Sequence, residues 1–206
     1  MILIVDYKAG NLTSVKRALD HLEIPCKITA DGQELRQAER IIFPGVGHAA
    51  TAMAALQERG LDTALRDAFR LGTPIMGICL GCQIVLTHSE EGDTVCLGLV
   101  EGVCRRFQLE NPMLKIPHMG WNAIQVVREH PIMADLAAGD EFYFVHSYYP
   151  QPAAAEHVLA TCEYELSFPA AIGYKNLFAT QFHPEKSGRL GLRMLRNFSQ
   201  WDGDVC

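Results

Sequence analysis

Pro74-Ile75-Met76-Gly77-Ile78-Cys79-Leu80-Gly81 reads as a short apolar strand that turns sharply into a helix, with a cysteine at the corner. A continuous apolar run of this kind, bounded by Pro before it and Gly at its turn, fits a strand buried on both faces of a parallel sheet. The wider stretch 71–87 is uncharged and close to membrane-spanning length, yet Gly72, Pro74, Gly77, Gly81 and Gln83 interrupt it. A buried strand followed by a buried helix is therefore the better reading.

Outward from this stretch, the N-terminal half repeats the same logic. Apolar runs at 2–6, 24–29 and 40–43 alternate with helix-period segments at 12–22, 49–58 and 62–71, the rhythm of a doubly wound, mostly parallel sheet. Asn11 stands where the first helix wants a cap, and Asp31 with Glu34 reads as a capping box for a short helix. From about residue 100 the pattern changes to strand-like segments at 103–107, 121–127, 142–149, 158–163 and 171–181, read as antiparallel extensions of the sheet. A last helix over 187–201 sets Leu190, Met194, Leu195 and Phe198 on one core-facing stripe. No repeat or linker interrupts the chain, so 1–206 reads as a single α/β domain, flavodoxin-like in its winding.

Composition narrows the function. With 206 residues, 49% of them hydrophobic and 20% charged, the chain has material for a large core and no signature of disorder. A formal charge of -6 argues against a nucleic-acid surface, which needs clustered Lys and Arg. No basic region precedes the first apolar run, and Asp6 closes it too early for a signal peptide. Seven cysteines, an odd number in a chain too large to need disulfide staples, point to a reducing cytoplasmic location, away from membranes.

The chemistry gathers in three places. Gly77-Ile78-Cys79-Leu80-Gly81 is the cysteine form of a nucleophile elbow, where small residues let the turn push the side chain out and backbone N–H groups favour thiolate. Gln181-Phe182-His183-Pro184-Glu185-Lys186 offers a base, His183, with a carboxylate, Glu185, spaced to orient it. Pro44-Gly45-Val46-Gly47 ends the third strand beside the elbow, where flexible glycines allow a peptide N–H, with that of Leu80, to face an oxyanion. Each motif has a plainer reading: a buried cysteine in a turn, a strand-end histidine satisfied by a carboxylate, an ordinary strand-to-helix loop. Cys79-Leu80-Gly81-Cys82 also matches a thioredoxin-like redox pair. The presence of elbow and base in one chain favours the hydrolytic reading.

These residues, together with Asp6-Tyr7-Lys8-Ala9-Gly10-Asn11-Leu12, His118-Met119-Gly120-Trp121-Asn122 and Phe142-Tyr143-Phe144-Val145-His146-Ser147-Tyr148, resemble the class I glutamine amidotransferases. Within them they look like the glutaminase subunits of imidazole glycerol phosphate synthase, from histidine biosynthesis. The resemblance spans 2–198. It implies a glutaminase with the triad Cys79, His183 and Glu185, an oxyanion site at Gly47 and Leu80, and L-glutamine held by Gln83, Glu91 and Ser147. It also implies a heterodimer with a (β/α)₈-barrel cyclase that takes the ammonia through a channel, with Asn11, Trp121, Tyr143 and Lys186 near the contact. Such chemistry requires no metal or organic cofactor. Cys82, Glu165 and Ala179 depart from the pattern, which more often has an apolar residue, Gly and Gly there. A glutaminase of another pathway, a stand-alone cysteine hydrolase and a non-catalytic interaction subunit are the competing readings.

Overall fold

Alternate residues of β1 (Ile2–Val5) leave the sheet in opposite directions, and both sets are buried: Leu3 and Val5 join one apolar cluster, Ile2 and Ile4 another. That two-sided burial is why the first strands are apolar throughout instead of alternating. The computed structural model describes residues 1–8 and 11–204, so Ala9 and Gly10 of the first quoted motif lie outside the described residues.

The N-terminal half supplies β2 (Cys26–Thr29), β3 (Arg40–Gly45) and β4 (Ile75–Cys79), with α1 (Leu12–His21), α2 (Gly32–Arg36), α3 (Ala49–Glu58), α4 (Leu61–Arg70) and α5 (Leu80–Ile84). The later elements are β5 (His88–Ser89), β6 (Thr94–Val95), β7 (Gly102–Arg106), β8 (His118–Val126), β9 (Glu141–His146), β10 (Tyr148–Pro152), β11 (Val158–Tyr164), β12 (Leu166–Tyr174), β13 (Leu177–Thr180) and α6 (Gly188–Gln200). Among the described residues the strands form a nine-stranded sheet, ordered β2-β1-β3-β4-β13-β12-β11-β8-β9, and a four-stranded one, ordered β10-β7-β5-β6. The strands from β2 to β13 run parallel, and the rest of the large sheet is antiparallel, as the sequence predicts.

Helices cover both faces. α3 buries Ala49, Ala52, Met53 and Leu56, and α4 buries Leu61, Ala64, Leu65 and Ala68, each at the i, i+3, i+4, i+7 spacing of one helix face. They pack with Phe43, Ile75 and Leu177 on one side of the sheet. On the other, Val15 and Leu19 of α1 join Met194, Leu195 and Phe198 of α6 over Ile42, Met76 and Phe178. Truncating a buried ring such as Phe178 to Ala would cost about 3–5 kcal/mol, from lost transfer energy and the cavity left behind.

Four expectations are corrected. Segment 142–149 is two strands in different sheets, because the chain leaves the large sheet after His146 and enters the small one at Tyr148. Segment 171–181 covers the end of β12 and all of β13, antiparallel to each other through a turn at Lys175, whose φ is +52°. Asn11 precedes α1 but makes no side-chain cap bond. Asp31 does cap α2, accepting from Gln33 N–H at 2.7 Å, while Glu34 pairs with Lys27 instead of closing a capping box.

One register positions the site. In the parallel ladders Gly45 lies opposite Cys79 and Thr180 opposite Ile78, so β3, β4 and β13 end at one level. The residues that follow those ends, Val46-Gly47, Leu80 and Gln181-Phe182-His183, are thereby delivered to a common edge, the carboxyl end of a parallel sheet where such folds place their chemistry.

Candidate active site

Cys79 has φ +54° and ψ -108°, a conformation that costs a side-chain-bearing residue about 1–3 kcal/mol and persists only where the surroundings enforce it. The enforcement is visible at Gly81, where a Cβ would run into the Phe43 carbonyl. The elbow can thus press directly against β3. The turn also makes Cys79 the residue that opens α5, with no hydrogen bond from its side chain to the first turn of that helix.

His183 is fixed by its backbone before its ring is considered. Its N–H donates to the Tyr143 carbonyl at 2.9 Å, and its own carbonyl accepts from Ser187 Oγ at 2.6 Å. That same Oγ accepts from Tyr143 N–H at 3.0 Å, so His183 is tied to β9. The ring Nδ1 lies 2.8 Å from Glu185 Oε1, with the two side chains 2% and 1% exposed. A carboxylate can only accept, so Nδ1 carries the proton. The opposite nitrogen, Nε2, is buried without a hydrogen-bond partner, and His183 shares a cavity with Cys79. Burial alone would lower the His183 pKa, but interactions with Cys79 and Glu185 outweigh it and raise it to about 10. The sulfur therefore bears on the imidazole charge without a bond of conventional geometry.

The cavity, of about 260 Å³, brings together most of the predicted site: Gly47, Cys79, Leu80, Gln83, Glu91, Ser147 and His183 all line it. Gly47 has φ +95° with open space where a Cβ would stand, a conformation that suits Gly. Gln83 gives its amide hydrogens to Tyr148 O at 2.9 Å and Gln181 Oε1 at 3.0 Å, leaving its own oxygen as the group that can receive a ligand donor. Glu91 Oε2 accepts from Ala49 N–H at 2.7 Å, bracing the first turn of α3 beside the 46–48 loop. Its neighbour Glu90 instead pairs with Arg105 and with the N–H of Arg106, so the two acids are not one solvated run. Ser147 is the residue between the two sheets. Glu185 stands behind His183 and does not line the cavity.

Three of the four predicted contact residues, Trp121, Tyr143 and Lys186, cluster beside His183. Trp121 is 54% exposed and meets Tyr143 edge-on at 6.2 Å, and Lys186 Nζ lies 5.7 Å from the centre of the Tyr143 ring. Tyr143 in turn lies 6.5 Å from the His183 ring. Asn11 opens α1, which packs against the 184–186 turn. A larger groove, of about 560 Å³, runs along residues 126–136 and holds no nucleophile and base together.

Two participants escape the sequence reading. Gln181, fully buried, donates from Nε2 to the Cys79 sulfur at 3.7 Å. His146 lines the cavity and bonds His118 at 2.9 Å across the β8–β9 pair. Gln181 carries one signal, a polar residue at the end of an apolar strand two positions before His183. His146 carries none. Cys82 is fully buried, and burial pushes its thiol pKa well up, which keeps it in the inert form. Among the described residues no group of three or more His, Cys, Asp or Glu is placed to hold a metal ion, and no helix is long and apolar enough to cross a membrane.

Similarity to known proteins agrees with this geometry. Residues 3–200 match the family model of glutamine amidotransferase class-I. The chain is 51% identical over 206 residues to "Imidazole glycerol phosphate synthase subunit HisH" of Nitratidesulfovibrio vulgaris, covering 98% of this chain and 96% of that one. It is 46% identical over 200 residues to the protein of the same name in Moorella thermoacetica, covering 97% and 94%. In three dimensions it superposes on a crystal structure of a glutamine amidotransferase with TM-score 0.75 at 20% identity, over 97% of this chain and 98% of that one. The glutaminase domain of Trypanosoma brucei CTPS with bound acivicin matches with TM-score 0.69 at 17% identity, covering 99% and 97%, a likeness of fold. By family match and by identity along nearly its whole length, the chain belongs to the class-I glutamine amidotransferases and, among them, to the HisH subunits of imidazole glycerol phosphate synthase.

Proposed function

We propose that Cys79, His183 and Glu185 are the triad by which this chain hydrolyses L-glutamine to glutamate and ammonia. The observation that carries the reading is the position of His183, held through Nδ1 by a buried carboxylate while its other ring nitrogen remains unpartnered in the Cys79 cavity. Thiolate attack on the carboxamide carbon forms the C–S bond and moves the π electrons onto oxygen. The N–H groups of Gly47 and Leu80 are assigned to that oxyanion. As the tetrahedral intermediate collapses, the C–N bond breaks and His183, with its raised pKa, gives its proton to the departing nitrogen. Water, deprotonated by the now neutral His183, then adds to the thioester, releasing glutamate and restoring the thiolate.

The amino-acid end of the substrate falls to three residues. Gln83 Oε1 and the Glu91 carboxylate are acceptors suited to an α-ammonium group, and the Ser147 hydroxyl is a donor suited to the α-carboxylate. The partner is assigned as a (β/α)₈-barrel cyclase, docked over Asn11, Trp121, Tyr143 and Lys186, that receives ammonia through a channel and makes imidazole glycerol phosphate. Enclosure serves the chemistry, because ammonia released to bulk water is protonated and lost as a nucleophile. On this reading residues 1–206 act as one glutamine amidotransferase domain in the cytoplasm.

Acid quenching of the chain during turnover, followed by peptide mass spectrometry, tests the intermediate. A glutamyl adduct on Cys79 is expected. Glutamate accumulation with the adduct on another residue, or with none in Cys79→Ala and the native chain alike, would overturn the triad.

A further inference from the structure

The polarity of the hydrogen bonds behind Cys79 is set by one group. Tyr148 O is a backbone carbonyl and can only accept, so Gln83 must present its NH₂ to it, at 2.9 Å. The same NH₂ reaches Gln181 at 3.0 Å, so Gln181 must present its oxygen. Gln181 is then left with its NH₂ turned to the Cys79 sulfur, 3.7 Å away. No flip of either amide is free, because reversing one would set donor against donor or acceptor against acceptor. Burial holds the arrangement: Gln83 is 5% exposed and Gln181 fully enclosed.

From this chain of constraints we infer that Gln181 stabilises the Cys79 thiolate by donating an oriented N–H to it, and that Gln83 holds the amide in that sense. The inference rests on the reading of Cys79 as the nucleophile. As a thiol, Cys79 faces the Val145 carbonyl at 3.9 Å, an acceptor that offers nothing to an anion. The titratable groups that bear on the sulfur are His183 after β13, Tyr7 after β1, Cys82 on α5 and Cys104 on β7. Tyr7 gives its hydroxyl hydrogen to Pro44 O, and the two buried thiols are held protonated. His183 supplies the charge, and Gln181 supplies a neutral donor whose direction does not depend on pH. Gln83 thereby joins substrate pocket and nucleophile, since it lines the cavity and its amide also orients the thiolate donor.

The test is the pH profile of Cys79 alkylation by iodoacetamide, followed by mass spectrometry of the peptide that carries Cys79, in the native chain and in Gln181→Leu. Loss of a hydrogen bond to a charged group is expected to raise the apparent pKa of Cys79 by about one unit, a roughly tenfold lower rate on the acidic limb. In turnover, kcat should fall with KM for glutamine little changed, a split that a general loss of packing would not give. Profiles that coincide would overturn the inference. Should Gln181→Leu fail to fold, Gln181→Glu keeps the shape and places a carboxylate on the sulfur, and a profile that does not move upward would be equally fatal. The nucleophile reading fails separately: a native chain that makes no glutamate under any condition, while its Cys79 profile still moves with Gln181, would remove the glutaminase assignment and leave the thiolate donor standing.

Discussion

His183 Nδ1 donates to Glu185 Oε1 across 2.8 Å, in a setting where neither side chain is more than 2% exposed. A buried carboxylate in that position fixes the tautomer of the imidazole and supports its charge. His183→Ala should lower kcat by about 10³-fold, the usual range for loss of an acid–base group. Glu185→Gln should lose less, because the amide oxygen can still accept from Nδ1 while the charge is gone. Steady-state rates of glutamate formation check the order, and equal losses would leave the orienting role unsupported.

His183, held by Cys79 and by Glu185, should also mark stability at high pH. His183 holds its proton more tightly folded than unfolded, with a pKa raised to about 10 from 6.5. Its stabilising contribution is therefore complete below about pH 6.5 and lost as pH rises through about 10. Thermal unfolding of the native chain should show a fall in midpoint between about pH 6.5 and 10 that His183→Asn lacks.

The opposite sign belongs to the neighbouring histidines. Burial lowers the pKa of His118 to about 4 and, with smaller opposition from Tyr148 O, that of His146 to about 3. His146 Nδ1 donates to Tyr148 O at 2.7 Å, so its Nε2 must accept from His118, and the pair is bonded as two neutral rings. Below about pH 6.5 the unfolded chain takes up protons that the folded one refuses, so stability falls as pH drops from there toward 4. Replacing both residues with Gln should flatten the thermal midpoint between pH 6.5 and 4.5 relative to the native chain.

Glycines in the two turns should separate folding from chemistry. Gly81→Ala forces a methyl group into the Phe43 carbonyl and should destabilise the chain by about 1–3 kcal/mol in urea unfolding. Gly47→Ala meets nothing within 4 Å and costs only its φ of +95°, about 1 kcal/mol. Its loss should appear in kcat, because the peptide assigned to the oxyanion is displaced.

Glu165 accepts backbone N–H bonds from Glu110 and Asn111 at 3.0–3.2 Å, from a residue whose own φ is +63°. Glu165→Gly should ease the backbone and release that segment. Amide exchange at Glu110 and Asn111 should quicken while global stability changes by less than about 1 kcal/mol. Unchanged protection at these two amides would show that the carboxylate does not anchor them.

Much of this fold is legible in the chain because burial writes it there. α3 matches its predicted span, 49–58, since Ala49, Ala52, Met53 and Leu56 keep strict helical spacing. The elbow is legible because only Gly fits against Phe43 at position 81. The break at Ser147 is not, since apolar and aromatic residues continue on both sides with no Gly or Pro between, and the change of sheet is decided by partners distant in sequence. The turn at Lys175-Asn176 shows only Asn as a signal. Cys79, His183 and Glu185 stand out by residue type and spacing, and Gln83, Glu91 and Ser147 through the family resemblance alone, while Gln181 and the His118–His146 pair depend on β13 inserting beside β4 and on β8 pairing with β9.

Glutamate production from glutamine by the purified chain, alone and then with the barrel cyclase and its phosphoribosyl ligand, tests the central claim most directly. A low rate that rises strongly in the full mixture and vanishes in Cys79→Ala is the predicted result. Turnover retained in Cys79→Ala, or no glutamate from the native chain in the full mixture, would contradict it.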